Sequence, residues 1–329
     1  MDSDLRADEL LDWDDGGCGE NDSSIVGGAA TIVASNSDIV SDAERWHLHR
    51  GDCIEHMATM PTQCVDFSVF SPPFPSLYAY TSSDRDIGNS ENMRGDAKLH
   101  LSFFYRQLVR IIKPGRVACV HVAQIPRMKR TGEVGLFDFR GMNIRLAERA
   151  GFVFEYDWCI RKNPQAQAIR TRSRELQFAG LESDRAKSRG TLPDYVLKFR
   201  VPGDNATPVD DDENESRNTW RNRWIEWAEC CWDDIKETDT LNVREAKGKD
   251  DTKHICPLQL GLIHRLVKLY TNRNEIVFSP FAGIGSEGYE SLKQGRRFYG
   301  CELKQEYFDC ACNNLASVAT ETNSQRMLF

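Results

Sequence analysis

Short apolar runs alternate with amphipathic segments along the chain from Trp46 onward. The runs VDFSVF, VACVHV, FVFEYDWCI, NEIVFSP and RRFYGCEL have the length and composition of buried strands. The segment LHLSFFYRQLVRIIKPG carries apolar residues at 101, 104, 108, 111 and 112, which is helical spacing, and KPG at 113–115 is predicted to end that helix. Further helices are predicted in CIEHMATMP, GMNIRLAERAG, PLQLGLIHRLVKLYT and GSEGYESLKQG. This alternation predicts an α/β fold.

One of these strands ends in an unusual way. Val65 to Phe70 is apolar apart from Asp66 and Ser68, and the sequence Ser-Pro-Pro-Phe follows directly at 71–74. Proline cannot donate to a strand ladder, so the two prolines stop the strand abruptly. The hydroxyl and the aromatic ring of SPPF are therefore predicted to lie at a strand end.

The net charge of −8 is distributed unevenly. Residues 1–45 hold 12 Asp and Glu against 2 Lys and Arg, which gives that segment −10 and leaves the remainder at +2. The segment is rich in Gly, Ser and Asp, and we predict an acidic, largely disordered tail. An acidic tail does not exclude a nucleic acid as partner of the rest of the chain.

Membrane and metal functions are not indicated. No stretch approaches the roughly 18 to 20 apolar residues that span a bilayer, and the N-terminus lacks the order of a signal peptide. The cysteines number 11, an odd count, and lack paired C-x-x-C spacing. We predict an intracellular protein with reduced cysteines and no metal site.

A basic segment separates the two halves of the pattern. Residues 161–200 hold ten Lys and Arg against four Asp and Glu. This asymmetry indicates a module inserted in the main fold, and its cations could neutralise phosphates or read guanine in the major groove. The alternative is a solvated charged face. The candidate DNA-binding residues are Arg170, Arg172, Arg174, Arg185, Lys187 and Arg189.

Three tryptophans follow the basic segment. Trp220, Trp224 and Trp227 are spaced i, i+4 and i+7 and so share one helical face. We predict that this face is buried against the core.

A glycine-rich loop follows the strand NEIVFSP. Gly283-x-Gly285-x-x-Gly288 opens the next helix, and Glu302 ends the next strand, 19 residues after Gly283. The glycines permit close backbone approach by an adenosine-containing ligand, and the acid can accept ribose hydroxyls. A dinucleotide fingerprint usually opens its domain, whereas this loop closes the chain, so we favour S-adenosylmethionine over NAD. The remaining alternative is a loop that only packs helix on strand.

Taken together, four motifs resemble those of DNA amino-methyltransferases that modify cytosine N4 or adenine N6. These are SPPF, HICPLQL, FSPFAGIGSEG, and GCEL followed by KQEYF. Their order resembles the circularly permuted beta class of that family, which occurs in phages and restriction-modification systems, and the resemblance covers about residues 46–316. The family usually has Asp where this chain has Ser279, and more often Tyr where it has Phe74.

The resemblance implies a Rossmann-like, permuted methyltransferase fold. Residues 46–160 would form its catalytic half, 161–250 the target-recognition segment and 251–329 the cofactor-binding half. The implied cofactor-binding residues are Asp52, His254, Ser279, Pro280, Phe281, Gly283, Gly285 and Glu302. Asp52 is as readily a helix cap as a cofactor ligand.

The resemblance also implies a reaction, in which a methyl group passes from S-adenosylmethionine to the exocyclic amine of a flipped base. The implied catalytic residues are Ser71, Pro72, Pro73 and Phe74, with Ser71 and the Pro72 carbonyl accepting the amine hydrogens and Phe74 stacking on the base. Serine at the first position favours cytosine N4, and adenine N6 is the alternative. Methylation at cytosine C5 is rejected, because HICP has Cys and Pro in the reverse order from that family.

Partners and rivals follow from the same resemblance. Double-stranded DNA is the implied partner, a homodimer and a cognate restriction nuclease stay open, and the cytoplasm of a bacterial or phage-infected cell is the implied location. The rival functions are a catalytically silent DNA-binding protein of this fold and a nicotinamide-dependent oxidoreductase.

Overall fold

A computed structural model describes residues 38–40, 45–75, 86–89, 95–127, 135–171, 173–210, 215–242 and 257–326. The strands within these ranges are β1 (Asp38–Val40), β2 (Trp46–Arg50), β3 (Val65–Phe70), β4 (Ile112–Ala123), β5 (Ile125–Pro126), β6 (Leu136–Phe137), β7 (Val153–Ile160), β8 (Asp194–Arg200), β9 (Cys231–Trp232), β10 (Ile276–Ser279) and β11 (Arg297–Glu302).

The α-helices of the described ranges are α1 (Cys53–Thr59), α2 (Asp96–Ile111), α3 (Phe139–Arg149), α4 (Pro164–Thr171), α5 (Phe178–Ser183), α6 (Arg217–Trp227), α7 (Leu260–Tyr270), α8 (Ser286–Lys293) and α9 (Gln305–Arg326). Three short 3-10 helices cover Ile87–Asn89, Arg174–Leu176 and Arg185–Lys187. Helix α2 ends at Ile111, just before the predicted stop at 113–115, because the chain enters β4 directly. No described helix has both the length and the apolar character that crossing a membrane requires.

Nine of the described strands form one mixed sheet in the order β1-β2-β11-β10-β3-β4-β8-β7-β9. Strands β2, β11, β10, β3 and β4 run parallel to one another, and β8 lies antiparallel between β4 and β7. The connection from β10 through α8 leads outward to β11, whereas the connection from β3 through α2 leads outward to β4 on the other side. The sheet therefore reverses its winding between β10 and β3.

Helices cover both faces of the sheet. Helices α1, α2 and α3 pack on one face around Leu101, Phe104 and Leu108. Helices α7, α8 and α9 pack on the other, where α7 buries an apolar stripe that includes Leu262 and Leu266. This three-layer arrangement is the predicted Rossmann-like α/β fold.

The two polar residues inside β3 have partners that explain their burial. Asp66 pairs with Lys113 Nζ at 2.6 Å and accepts a hydrogen bond from Ile276 N at 2.8 Å. Ser68 Oγ donates to the carbonyl of Phe278 at 2.9 Å. These contacts join β3 to β4 and β10, and they fix the ends of β3 and β10 side by side.

The structure corrects two predictions, one about the acidic tail and one about the insert. Part of the predicted tail is ordered, because β1 pairs antiparallel with β2 at the sheet edge, while residues 1–37 and 41–44 lie outside the described residues. The predicted insert 161–250 contributes β8 and β9 to the sheet itself, so only part of it can project from the fold.

The tryptophan face is buried only in part. Trp227 is 7% exposed and its carbonyl accepts hydrogen bonds from the indoles of Trp158 and Trp232. Trp220 is half-buried, under the ammonium of Lys268. The prediction is wrong for Trp224, which is 53% exposed.

Candidate active site

A cavity opens at the carboxyl ends of β10 and β3, at the point where the sheet reverses its winding. Ligands of open α/β sheets bind at this position. Four segments distant in sequence meet there: the turn after β2, SPPF after β3, the glycine loop after β10 and the end of β11. The lining residues include Asp52, Ser71, Pro72, Pro73, Phe74, Asp86, Ile87, Pro280, Phe281, Gly283, Ser286, Glu287, Glu302 and Tyr307.

The glycine loop is a tight turn whose backbone faces the cavity. Gly283 has φ +53° and lines the cavity, and Gly285 caps α8 with φ +87°. A Cβ at Gly285 would meet Ala311 Cβ at 3.2 Å, and one at Gly288 would meet Leu315 and Phe298 at 2.5 and 2.6 Å. The loop thus serves two purposes, since Gly288 packs the helix on the strand and Gly283 presents backbone to a ligand.

Glu302 is held in place by the same loop. Its Oε2 accepts from Gly283 N at 2.8 Å, and its Oε1 accepts from Lys304 N at 2.9 Å. Burial raises the pKa of Glu302 to about 7, with backbone hydrogen bonds opposing the rise and the charge of Asp86 adding to it. Glu302 is therefore positioned to accept hydrogen bonds from hydroxyl groups of a ligand at the cavity edge.

Two further polar groups in the first turn of α8 line the cavity. Glu287 is 4% exposed, and burial, together with the nearby Glu302, raises its pKa to about 8. Ser286 Oγ is buried without a hydrogen-bond partner. A buried polar atom of this kind is normally satisfied, so Ser286 has an unused donor and acceptor for a ligand.

SPPF forms the opposite wall of the cavity. Ser71 Oγ lies 3.2 Å from the carbonyl oxygen and 3.3 Å from Nδ1 of His121 on β4. The Phe74 ring packs on Phe139, with centroids 5.4 Å apart, and its exposed part faces the cavity. A planar group could stack there beside the Ser71 hydroxyl.

The position of Asp52 is compatible with both of its predicted roles, helix cap and cofactor ligand. Its Oδ1 accepts from Ile54 N at 2.7 Å and from Glu55 N at 3.0 Å, which makes it the N-cap of α1. The same residue lines the cavity. Capping thus fixes the Asp52 carboxylate at the edge of the site.

Aromatic packing supports the floor of the cavity. Phe281 lies 5.1 Å from Phe104 and 5.8 Å from Phe70, measured between ring centroids. Phe281 therefore joins the glycine loop to the core beneath SPPF.

Some predicted residues lie apart from this cavity. Ser279 is fully buried at the end of β10, its hydroxyl without a partner, and Gly285 packs closely against Ala311 of α9; neither lines the cavity. His254 lies outside the described residues, as does Arg172, and the side chains of Arg170 and Arg174 do too.

Among the predicted DNA-binding residues, the three whose side chains are described are at least partly accessible. Arg185 and Lys187 are exposed on the short helix that follows α5, and Lys187 makes an ion pair of 3.2 Å with Asp184. Arg189 is partly covered and pairs with Glu175 at 3.3 Å. None of the three lines the cavity.

Sequence reasoning missed several residues of the site. Glu287 stands inside the glycine motif, and its acidic side chain between Ser286 and Gly288 was a signal that could have identified it. Asp86 and Tyr307 carry no comparable signal. His121 was visible as a polar residue in an apolar strand, but its contact with Ser71 depends on strand pairing across 50 residues.

The comparison with protein families matches residues 65–313 to a DNA methylase model, N6_N4_Mtase. Among curated relatives, the Type II methyltransferase M.BglII of Bacillus subtilis is 35% identical over 83 residues, which are 25% of this chain and 23% of that protein. The chain spans less than a quarter of the length of the first curated relatives that it matches.

Two solved structures share the fold. A putative DNA modification methylase from Thermus thermophilus, complexed with S-adenosyl-L-methionine, aligns with TM-score 0.59 at 21% identity over 83% of this chain and 95% of that one. The PvuII DNA methyltransferase, which is cytosine-N4-specific, aligns with TM-score 0.52 at 14% identity over 84% of this chain and 92% of that one. Because the family model covers more than half of the sequence, the chain belongs to the DNA methylase family.

Proposed function

We propose that this protein transfers a methyl group from S-adenosylmethionine to the exocyclic amine of a base in duplex DNA, with cytosine N4 as the target. The observation that carries the proposal is the shared cavity, in which SPPF faces the glycine loop and Glu302. A methyl donor on one wall and a base on the other would meet between them.

The residues around the glycine loop fit such a cofactor. Glu302 would accept hydrogen bonds from ribose hydroxyls, and the Gly283 backbone leaves room for close approach. Ser286 offers its unsatisfied hydroxyl. Asp52 adds a carboxylate to the same cavity, and a carboxylate there would favour a ligand that carries positive charge.

When bound, the cofactor would supply an electrophilic methyl group, so that a nitrogen–carbon bond would form as the carbon–sulfur bond broke, with its electron pair staying on sulfur. The amine nitrogen is a weak nucleophile because its lone pair is delocalised into the ring. Ser71 Oγ and the Pro72 carbonyl would accept its two hydrogens and hold the lone pair toward the methyl group, one of these protons being lost to solvent after transfer. Rigid prolines keep both acceptors in place.

The DNA must deliver its base into the cavity. An amine that is paired and stacked in a duplex cannot reach Ser71, so the proposal includes extrusion of the target base, which Phe74 would hold by stacking. Such stacking is worth about 1 to 3 kcal/mol per base. The exposed Arg185 and Lys187, with the neighbouring basic residues, would contact phosphates.

The choice of cytosine N4 rests on Ser71 standing where family members that act on adenine more often have Asp. Adenine N6 is the alternative target of the same mechanism. A bacterial or phage-infected cytoplasm, a homodimer and a partner nuclease stay predictions of the family resemblance.

The test is to incubate the purified protein with mixed-sequence duplex DNA and methyl-deuterated S-adenosylmethionine, digest the DNA to nucleosides and identify labelled products by mass spectrometry. Labelled N4-methylcytosine is the expected result. Labelled N6-methyladenine would support the mechanism but show that the target is adenine N6 and not cytosine N4. Unlabelled DNA, with cofactor binding shown by calorimetry, would reject the activity in favour of a silent DNA-binding protein.

A further inference from the structure

A buried polar chain runs from Ser71 into the sheet. His121 Nδ1 lies 3.3 Å from Ser71 Oγ, and His121 Nε2 lies 3.0 Å from Asp194 Oδ2. Lys162 Nζ pairs with the same Asp194 oxygen at 2.6 Å. His121 and Lys162 are 9% and 6% exposed, so the chain is almost entirely removed from water behind the serine.

Three neighbouring strands supply these residues. His121 lies near the end of β4, Asp194 begins β8 in register with Ala123, and Lys162 follows the end of β7. A buried ion pair is seldom a source of stability, since apolar residues of similar size would serve the fold equally well or better. The arrangement at this sheet end therefore calls for a reason other than folding.

The residues of this buried polar chain determine the direction of each hydrogen bond between them. Burial opposes ionisation of Asp194, but hydrogen bonds from His121 and Lys162 and the positive charge of Lys162 outweigh it and hold the pKa of Asp194 well below its ordinary value. An ionised carboxylate only accepts, so His121 Nε2 must carry a hydrogen. In the neutral ring, Nδ1 is then left as an acceptor.

The hydroxyl of Ser71 consequently donates its proton to His121. Both of its described partners, Nδ1 and the carbonyl oxygen of His121, are acceptors. The single Ser71 hydrogen is used on His121, and the oxygen lone pairs are left for the cavity. A serine without these partners could rotate and present its proton to the substrate instead.

We infer that His121, oriented by Asp194 and Lys162, is a positioning residue that fixes Ser71 as a hydrogen-bond acceptor. This inference rests on the proposed function and adds a basis for substrate choice. An acceptor at Ser71 favours bases that present an amino group, as cytosine and adenine do. It disfavours bases that present a carbonyl oxygen at the same place.

Two substitutions of His121 separate its two contacts. His121→Gln places an amide near the position of Nε2, which can still reach Asp194 but leaves Ser71 without its ring partner. His121→Asn places an amide oxygen near the position of Nδ1, which can accept from Ser71 but does not reach Asp194. Val122→Ala is the control, because Val122 is a fully buried neighbour on β4 that takes no part in the chain.

The experiment measures single-turnover methyl transfer to duplex DNA, with the dissociation constants for S-adenosylmethionine and DNA and the unfolding midpoint of each variant. We expect His121→Gln to slow transfer about 10- to 100-fold, the equivalent of one hydrogen bond in a polar site, at unchanged dissociation constants. His121→Asn should recover part of the rate, and Val122→Ala should keep the full rate despite a lower midpoint.

Wild-type rates in His121→Gln would overturn the inference while leaving the proposed function intact. So would rates that follow the unfolding midpoints across all three variants, because His121 would then be only structural. Absence of transfer by the unmodified protein would reject the proposed function, and the inference with it.

Discussion

Glu287 provides a prediction about how the stability of the protein depends on pH. The residue lies in the first turn of α8, is 4% exposed and has a pKa raised to about 8 by burial and by the nearby Glu302. The substitution Glu287→Gln keeps the size of the side chain and removes its ability to ionise. It should therefore change how the stability of the ligand-free protein depends on pH.

The magnitude follows from the two pKa values. The ordinary pKa of 4.5 and the value of about 8 in the folded protein correspond to a ceiling on the order of 5 kcal/mol. Between these values the folded protein holds the proton that the unfolded chain releases. The contribution of Glu287 to the free energy of unfolding therefore falls as pH rises from 4.5 to about 8, and it is level above that pH.

Urea denaturation of the ligand-free protein at pH 5, 6, 7, 8 and 9 measures this effect. Glu287→Gln should gain stability relative to the unmodified protein as pH rises, by about 2 to 5 kcal/mol at pH 9. Glu306→Gln removes the same charge from an exposed position in the first turn of α9 and should show no such divergence. Parallel curves for Glu287→Gln and the unmodified protein across this range would refute the reasoning.

Two other predictions concern the loop and the basic segment. Gly285→Ala should cost about 1 to 3 kcal/mol in urea denaturation, because φ is +87° and Ala311 leaves little room. Gly151→Ala shares the positive φ but has open space around it, so it should cost less; equal losses would contradict the crowding argument. Removing Arg185 and Lys187 together should reduce the slope of log affinity for DNA against log salt by about 2. Lys293→Ala on α8 should leave that slope unchanged, and an unchanged slope in the double variant would exclude both cations from the phosphate contacts.

Local sequence was enough to predict the strands and helices that carry the site. Apolar runs bounded by Pro or Gly identified the strands before SPPF and before the glycine loop, because each signal lies within a few residues. The family resemblance placed Ser71 and Glu302 in one site, and they line the same cavity.

Contacts between distant strands could not be predicted in this way. The chain from Ser71 through His121 to Asp194 requires β8 to lie antiparallel beside β4, although 73 residues separate His121 from Asp194. Periodicity also misled at Trp224, since a shared helical face does not show how much of that face a neighbouring element covers. The exposure of Trp224 follows from tertiary packing alone.

The central claim is that SPPF and the glycine loop form one site that joins a methyl donor to a base. The most direct measurement is single-turnover methyl transfer by Ser71→Ala beside the unmodified protein, with the dissociation constant for S-adenosylmethionine measured on the same samples. We predict a loss of at least about 100-fold in transfer, comparable to removal of one preorganised polar group, with cofactor binding unchanged. Transfer by Ser71→Ala at the unmodified rate would contradict the claim.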